Sequence, residues 1–397
     1  MIPVAEALEK VLALVPPPRG EAVPLAEAAG RVLLAPARAA RDQPPFAASA
    51  MDGYAVAGAG LKPGARLRVV GEAAAGHGHA GRIKPGEALR IFTGAPLPEG
   101  SDTVVIQEDV TRDGEMIRLD ECPEPGAHVR PRGGDFAAGD EIAAPRRLRP
   151  ADLALLAAMN VPELQLARRP EVAFIATGDE LVMPGEAPRD DQIIASNIFA
   201  LQAMARAEGA ETRILPIARD TPLSLRTVLE LAAGADLILT IGGASVGDHD
   251  LVGQVAQEIG MERAFYKIAM RPGKPLMAGR LGGAMMLGLP GNPVSAIVCG
   301  QIFMLPALRA MQGLPEPVVP PRRARLGCAL PPNGPRTHYM RARLAPPRDG
   351  EGLPLITPFA RQDSALLSVL TEADALLIRP VRDPERKPGD LVEYLPI

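Results

Sequence analysis

The sequence predicts a multidomain protein of α/β plus β class: a helical unit interrupted by a β-rich module, a doubly wound parallel α/β domain, and a C-terminal β-barrel or sandwich. Three observations carry this. From residue 170 strand-like and helix-like segments alternate, which calls for a parallel sheet covered on both faces. Between about 45 and 145, short β-like pieces are separated by the turns KPG, PEG, RDG and EPG. After the Pro-rich LPEPVVPP the chain returns to short strands. The expected limits are 1–44 with 146–169, 45–145, 170–314 and 320–397.

The N-terminus, MIPVAEALEKVLALVPPP, puts Val4, Leu8, Val11, Leu12 and Val15 at helical spacing. Glu6 and Glu9 stand where a signal peptide would be cationic, so an amphipathic helix is expected rather than an export signal. In the β module the strand candidates are ARLRVVGEA, EALRIF, DTVVIQEDV and EMIRLD. RRLRPADLALLAAMN reads as a helix with Pro150 and Asp152 near its start. Next come the strand EVAFIAT, the helix SNIFALQAMARAEG and the strand ETRILPIA. TPLSLRTVLELAAG is a helix with Thr221 as N-cap and Pro222 at its first position. DLILTI is the third strand, LVGQVAQEIG a helix, RAFYKIAM the fourth strand, and PVSAIVCGQIFMLPALRAMQG the closing helix.

Composition narrows the function classes. The chain has 397 residues, 47% hydrophobic and 23% charged, enough for more than one core. Its net charge of −4, with no block of like charges, argues against a general nucleic-acid surface. Cys122, Cys299 and Cys328 lie far apart without CxxC spacing, which fits a reducing cytoplasm. No apolar stretch is read as approaching the ~20 residues of a membrane span. No internal repeat is visible.

In an open parallel sheet the usable crevice lies beyond the carboxyl ends of the strands. The loops expected there carry Asp179 and Glu180, then Arg219 and Asp220, then TIGGASVGDHD, then RPGKP with Arg271 and Lys274, then GLPGNPVS leading into a helix. In TIGGASVGDHD, Gly242 and Gly247 have Walker-like separation, but Asp248 replaces the phosphate-neutralising lysine. Either a cation sits between carboxylate and phosphate, or the stretch is a Gly-rich turn with acids at a helix start. The NPVSA segment, with Ser295, offers free helix N–H groups to an oxyanion, or is a helix cap.

Three stretches of the β module also stand out: SAMDGYAV with Asp52, IFTGAPLPEGSDTVVIQED with Thr93 and Gly94, and RGGD ending at Asp135. Turn chemistry explains each locally. His77 and His79 in HGH lack a third ligand at metal spacing. No nucleophile elbow or redox CxxC occurs, so covalent catalysis is not indicated.

SAMDGYA, FTGAPLPEGSDTVV, GGD, TGDEL, the GGxSVGxxD loop, KIAMRPGKP and GLPGNPVSA, in this order along the whole chain, resemble the molybdopterin molybdenumtransferase family: bacterial MoeA, the plant Cnx1 E-domain and the gephyrin E-domain. The resemblance implies insertion of molybdate into adenylylated molybdopterin, with release of AMP and with a divalent cation, usually magnesium. It implies a cytoplasmic homodimer of four domains, including an α/β domain like the molybdopterin adenylyltransferases and a C-terminal β-barrel. The active cleft is shared between subunits, so Asp52 and Thr93 act in trans. Transient contact with the adenylyltransferase and with cofactor-receiving enzymes is expected, and neither nucleic acid nor membrane.

Carried over motif by motif, the functional groups are Asp52, Thr93, Asp135, Glu180, Asp220 and Asp250, with Glu180, Asp220 and Asp250 toward the cation. The nucleotide and oxyanion side comprises Gly242, Gly243, Ser245, Gly247, Pro290, Gly291, Asn292, Pro293, Arg271, Lys274 and Ser295, with Arg341 and Ser364 from the barrel and Lys267 nearby. The departures are Ala244, His249 and Arg271, the last where lysine is frequent; arginine keeps the charge but changes donor geometry. A related adenylyltransferase is the alternative enzyme. A scaffold of the gephyrin kind needs an added N-terminal domain and linker that this sequence does not show.

Overall fold

The computed structural model describes residues 1–243, 251–347 and 352–397. Two compact units emerge. One is built from Met1–Glu21, Gly30–Leu34 and Leu166–Ile397, the other from Ala22–Ala29 and Ala35–Gln165.

The smaller unit is organised by a six-stranded sheet in the order Thr103–Ile106, Gly53–Val56, Glu87–Ile91, Arg66–Ala73, Met116–Leu119, Val110–Asp113. Strand side chains alternate between two faces, and both faces are filled. Tyr54, Val56, Ala88 and Val105 go to one apolar cluster, whereas Ala55, Leu89, Ile91 and Val104 go to the other. Gly53 is obligatory at this crossing, because a Cβ there would lie 2.0 Å from the Val105 carbonyl oxygen. The helix Pro150–Ala158 starts as expected, with proline in its first turn. Asp152 accepts the Arg149 backbone N–H at 2.8 Å and pairs with Arg146 at 2.9 Å, contacts that hold its carboxyl below the usual range.

In the larger unit the elements run β1 (Glu171–Ala176), α1 (Asn197–Ala207), β2 (Glu211–Ile214), α2 (Pro222–Leu231), β3 (Leu237–Ile241), α3 (Leu251–Glu258), β4 (Glu262–Tyr266), β5 (Met270–Arg271), β6 (Met277–Leu281) and β7 (Ala284–Leu289). The sheet order is β2-β1-β3-β7-β6-β4, with β2, β1, β3 and β7 parallel and β6 antiparallel to both its neighbours. Phe174, Leu239 and Leu287 pack on one face with Leu201, Val298 and Phe303, while Ile175, Ile238 and Met286 pack on the other with Leu225, Val228 and Val255. The helix Val4–Ala13 adds Ala7 and Val11 to the first of these cores. It ends before Val15, where three prolines follow. Thr221 caps α2, its hydroxyl accepting the Ser224 N–H at 3.3 Å, and Pro222 opens the helix.

The structure corrects the sequence reading in three places. RAFYKIAM is not one strand: β4 ends at Tyr266, Lys267 turns at φ 72°, and Met270–Arg271 joins a different sheet. The hairpin of β6 and β7, joined by Gly282 and Gly283, has no counterpart in the sequence reading, and its second strand is the one beside β3. Finally, an apolar run of nearly membrane-spanning length does exist. The helix Pro293–Met311 is long and apolar enough over 19 residues, yet 78% of it is buried within the fold, as a core helix is.

The end of the chain folds as a closed five-stranded barrel from β8 (Arg322–Leu326), β9 (Thr337–Ala345), β10 (Leu355–Pro358), β11 (Ala375–Arg379) and β12 (Leu391–Pro396). Pairing runs β9-β10-β8-β12-β11, and β11 closes back on β9. Ala324, Leu326, Ala342, Ile356, Leu377 and Val392 fill the interior. β5 adds to the outside of this sheet, parallel to β9.

At the opposite end of the α/β sheet Asp236 opens β3. Its carboxylate accepts two 2.6 Å bonds from Arg168 and the Glu171 N–H at 2.8 Å, tying β3 to the entry of β1. Asp236→Ala leaves both donors short of a partner, and a loss of about 1–3 kcal/mol in urea unfolding is expected with the binding cleft unaffected.

Candidate functional site

At the carboxyl ends of β1, β3 and β7 the larger unit opens a cleft of about 600 Å³. Each strand contributes its terminal residues: Ala176 and Thr177 from β1, Ile241, Gly242 and Gly243 from β3, and Pro290, Gly291, Asn292 and Pro293 beyond β7. Glu180, Leu181, Ile193, Ile194, Ser196 and Asn197 form the side toward α1, with Pro275 and Ala365 opposite. The floor is held by backbone bonds across the strand ends, Thr177 N–H to Ile241 O at 2.9 Å and Gly242 N–H to Leu289 O at 3.1 Å. Asn197 pins the PGNP turn by donating to the Gly291 carbonyl at 2.6 Å.

The barrel reaches the same turn. Val294 N–H donates to the Ser364 carbonyl at 3.0 Å, and Asn292 Nδ2 donates to Ser364 Oγ at 3.1 Å. The Ser364 loop is itself organised by Arg341, which is 1% exposed. Its guanidinium donates to the Leu366 carbonyl at 3.1 Å and the Arg361 carbonyl at 3.5 Å, while Gln362 bonds the backbone of residue 341 in both directions. Burial pulls the Arg341 pKa down and nearby Asp363 opposes it. Arg341 therefore holds the loop that carries Ser364.

Of the other residues expected here, Pro275 is the member of RPGKP that lines the cleft. Arg271 is exposed and Lys274 half-buried. Ser295 is 4% exposed and so is not open to the cleft. Lys267 places its ammonium 4.9 Å from the Tyr266 ring. Asp220 is exposed, and its N–H donates to Asp179 Oδ1 at 3.2 Å, joining the two acidic loops. Ser245, Gly247 and Asp250, with Ala244, Asp248 and His249, lie outside the described residues. Among the described residues no three acids, histidines or cysteines converge as a metal site. Glu180 and Asp220 are hard oxygen donors of the type magnesium accepts, and magnesium ordinarily keeps several waters beside one or two carboxylates. The donor chemistry fits.

In the smaller unit the structure joins two of the predicted residues. Asp52 precedes Gly53, Thr93 stands two residues after Ile91, and Gly53 pairs with Ile91 in adjacent strands. Asp52 Oδ1 accepts both the Thr93 N–H and the Thr93 hydroxyl, each at 2.8 Å. These two bonds hold the Asp52 carboxyl below its usual range, the backbone bond most strongly, with Arg90 assisting. Thr93 thus keeps Asp52 ionised and oriented. Asp135 is exposed, its N–H donating to the Gln43 carbonyl at 2.9 Å.

Arg90 was missed from the sequence. It stacks 4.6 Å from the Phe92 ring centre and 5.2 Å from that of Tyr54, and it donates to Gly53 O at 3.1 Å and Gln107 Oε1 at 2.7 Å. The readable signal was an arginine two places before the Phe-Thr-Gly turn, on a strand whose alternation would direct it beside Asp52. Asn197 was missed because a helix-start asparagine reads as a cap.

Comparison with known proteins agrees with this arrangement. Residues 2–160 match the model of the MoeA N-terminal region (domain I and II), residues 173–310 that of a probable molybdopterin binding domain, and residues 323–397 that of the MoeA C-terminal region (domain IV). The molybdopterin molybdenumtransferase of Nostoc sp. is 38% identical over 304 residues, 74% of this chain and 70% of that protein. That of Haemophilus influenzae is 35% identical over 326 residues, 81% of this chain and 80% of its own length. A crystal structure of the molybdopterin biosynthesis moeA protein from Pyrococcus horikoshii superposes with a TM-score of 0.84 at 30% identity, covering 99% of this chain and 98% of that one. With three successive models matched along its length and relatives this similar, the chain belongs to the MoeA family of molybdopterin molybdenumtransferases.

Proposed function

We propose that this protein inserts molybdate into adenylylated molybdopterin, releasing AMP, as a magnesium-dependent cytoplasmic homodimer. The observation that carries the reading is the cleft at the strand ends, where glycine-opened backbone, the PGNP turn and Glu180 meet. It suits an anionic, nucleotide-linked substrate.

The task brings together two anions, molybdate and a pyrophosphate-bridged nucleotide. In this reading Gly242, Gly243 and the PGNP turn let backbone approach the phosphates closely, while Arg271 and Lys274 hold the tetrahedral oxyanion. Ser364 and Asn292 fix the turn, and Ser295 supports it from the first turn of the helix behind. Glu180, Asp220 and Asp250 would hold the cation, which when bound neutralises phosphate charge and polarises the anhydride. The acids position groups rather than titrate during turnover. Asp52, kept ionised by Thr93, and Asp135 belong to the partner subunit's contribution.

Reconstitution with adenylylated molybdopterin tests the reading. AMP release should require both molybdate and magnesium, with a dimer in sedimentation. AMP release independent of molybdate would instead indicate a nucleotide hydrolase or adenylyltransferase. Asp250→Ala releasing AMP at the wild-type rate would remove the assigned role of the acids.

A further inference from the structure

β5 joins the barrel sheet where β9 is also paired with β11, and this sets three basic side chains in one row. His338 on β9 is in register with Arg271 on β5 and with Arg379 on β11. Cross-strand partners share a face of the sheet, and Arg336, just before the start of β9, is near enough to act on His338 electrostatically. Arg379 is neutralised by Asp383, which is also paired with Arg386. Among the described residues neither Arg271 nor Arg336 has a carboxylate within ion-pair distance. His338 is 8% exposed. A cation directly between two arginines is unfavourable, so the row is tolerated with the imidazole neutral. Burial, then Arg271, Arg336, Arg379 and Arg341, draw its pKa down to about 4.

We propose that His338 is a positioning residue of the oxyanion site, taking up a proton when a tetrahedral dianion docks against Arg271. This rests on the reading of Arg271 and Lys274 as the oxyanion holders. The dianion cancels the field of the nearest arginine, so the imidazolium becomes affordable to the fold and adds its own attraction to the anion. By linkage, the anion then binds more tightly as pH falls toward the anion-bound pKa of His338. At position 338 a permanently charged residue would repel Arg271 and Arg379, and an acid would neutralise Arg271 and compete with the ligand.

The experiment is equilibrium dialysis of micromolar molybdate, dilute enough to stay a monomeric dianion, against wild type and His338→Gln at about pH 5 and about pH 7. A rise of two units in the His338 pKa on binding gives about tenfold tighter binding at the lower pH in wild type. The variant should change less than about twofold. Equal pH dependence in the two proteins overturns the coupling alone; no molybdate binding at about pH 7 overturns the anion site and the coupling with it. Should His338→Gln fail to fold, deuterium exchange at the imidazole C2 position in the wild-type protein reads the same quantity. An unchanged His338 titration with and without molybdate refutes the proposal.

Discussion

Gly242→Ala is expected to lower AMP release at least about a hundredfold while the protein remains folded. Gly242 has φ 95°, a conformation that L side chains rarely adopt, and a Cβ would sit 2.6 Å from the Thr177 carbonyl oxygen and 3.1 Å from Thr177 Oγ1. Neither can move cheaply, since Thr177 N–H is bonded to Ile241 O and Gly242 N–H to Leu289 O. The substitution must part the ends of β1 and β3, which are the cleft floor, and a displacement near 1 Å at a reacting centre costs on the order of 10²-fold in rate. Gly185→Ala is the matched control: its φ is also 95°, but nothing lies within 4 Å of a Cβ there. The control should lose stability by about 1 kcal/mol from backbone strain and keep its rate. Wild-type AMP release from Gly242→Ala would show that the loop after β3 is not where the nucleotide is bound.

With Asp52 serving the proposed shared cleft, Asp52→Asn is expected to reduce turnover by about two to three orders of magnitude, a cost typical of removing a preorganised polar group from a reacting centre. Thr93→Val should keep more activity, because the backbone N–H still holds Asp52 Oδ1. Its signature is a pH profile. Wild-type Asp52 has a lowered pKa, so it stays ionised further into acid than an ordinary carboxylate. Its contribution to stability is present above the unfolded-state pKa and is lost as pH falls through the lower folded value. Removing the Thr93 hydroxyl brings the folded pKa back toward the ordinary one, so the acid limb of kcat/KM moves up in pH. A profile superimposable on wild type would remove Thr93 from the control of Asp52 ionisation.

Much of this was legible in the sequence because it is local. Thr221-Pro222 announces a helix start, the near-continuous apolar runs DLILTI and EVAFIAT announce strands buried on both faces, and the strand-end loops follow once a parallel sheet is inferred. Gly242, Gly243, Glu180 and the PGNP turn were found that way and do share one cleft. What escaped depends on partners distant in the chain. RAFYKIAM has the composition of one strand, and only the turn at Lys267 and the pull of β9 divide it. The Gly282-Gly283 signal between two apolar runs was available for the β6–β7 hairpin and was passed over. Arg341 resembles an anion ligand by motif, while its burial comes from the loop that sets the Arg361 and Leu366 carbonyls over the outer face of β9, which no local pattern encodes. Arg90 and His338 gain their character from cross-strand neighbours, and register is invisible before the sheet is known.

The N-terminal helix carries a consequence for synthesis. Its buried residues Ala7 and Val11 belong to a core completed by Phe303, Leu305 and Leu308, so this helix, once it has left the ribosome, finds its seat only after about three hundred further residues. At about 5–20 residues per second this leaves the helix unseated for tens of seconds. Throughout that interval Val4, Leu8 and Val11 present an apolar stripe to the cell, a natural target for a holding chaperone. The order of translation, and not only the strength of the finished core, therefore bears on how this helix reaches its seat.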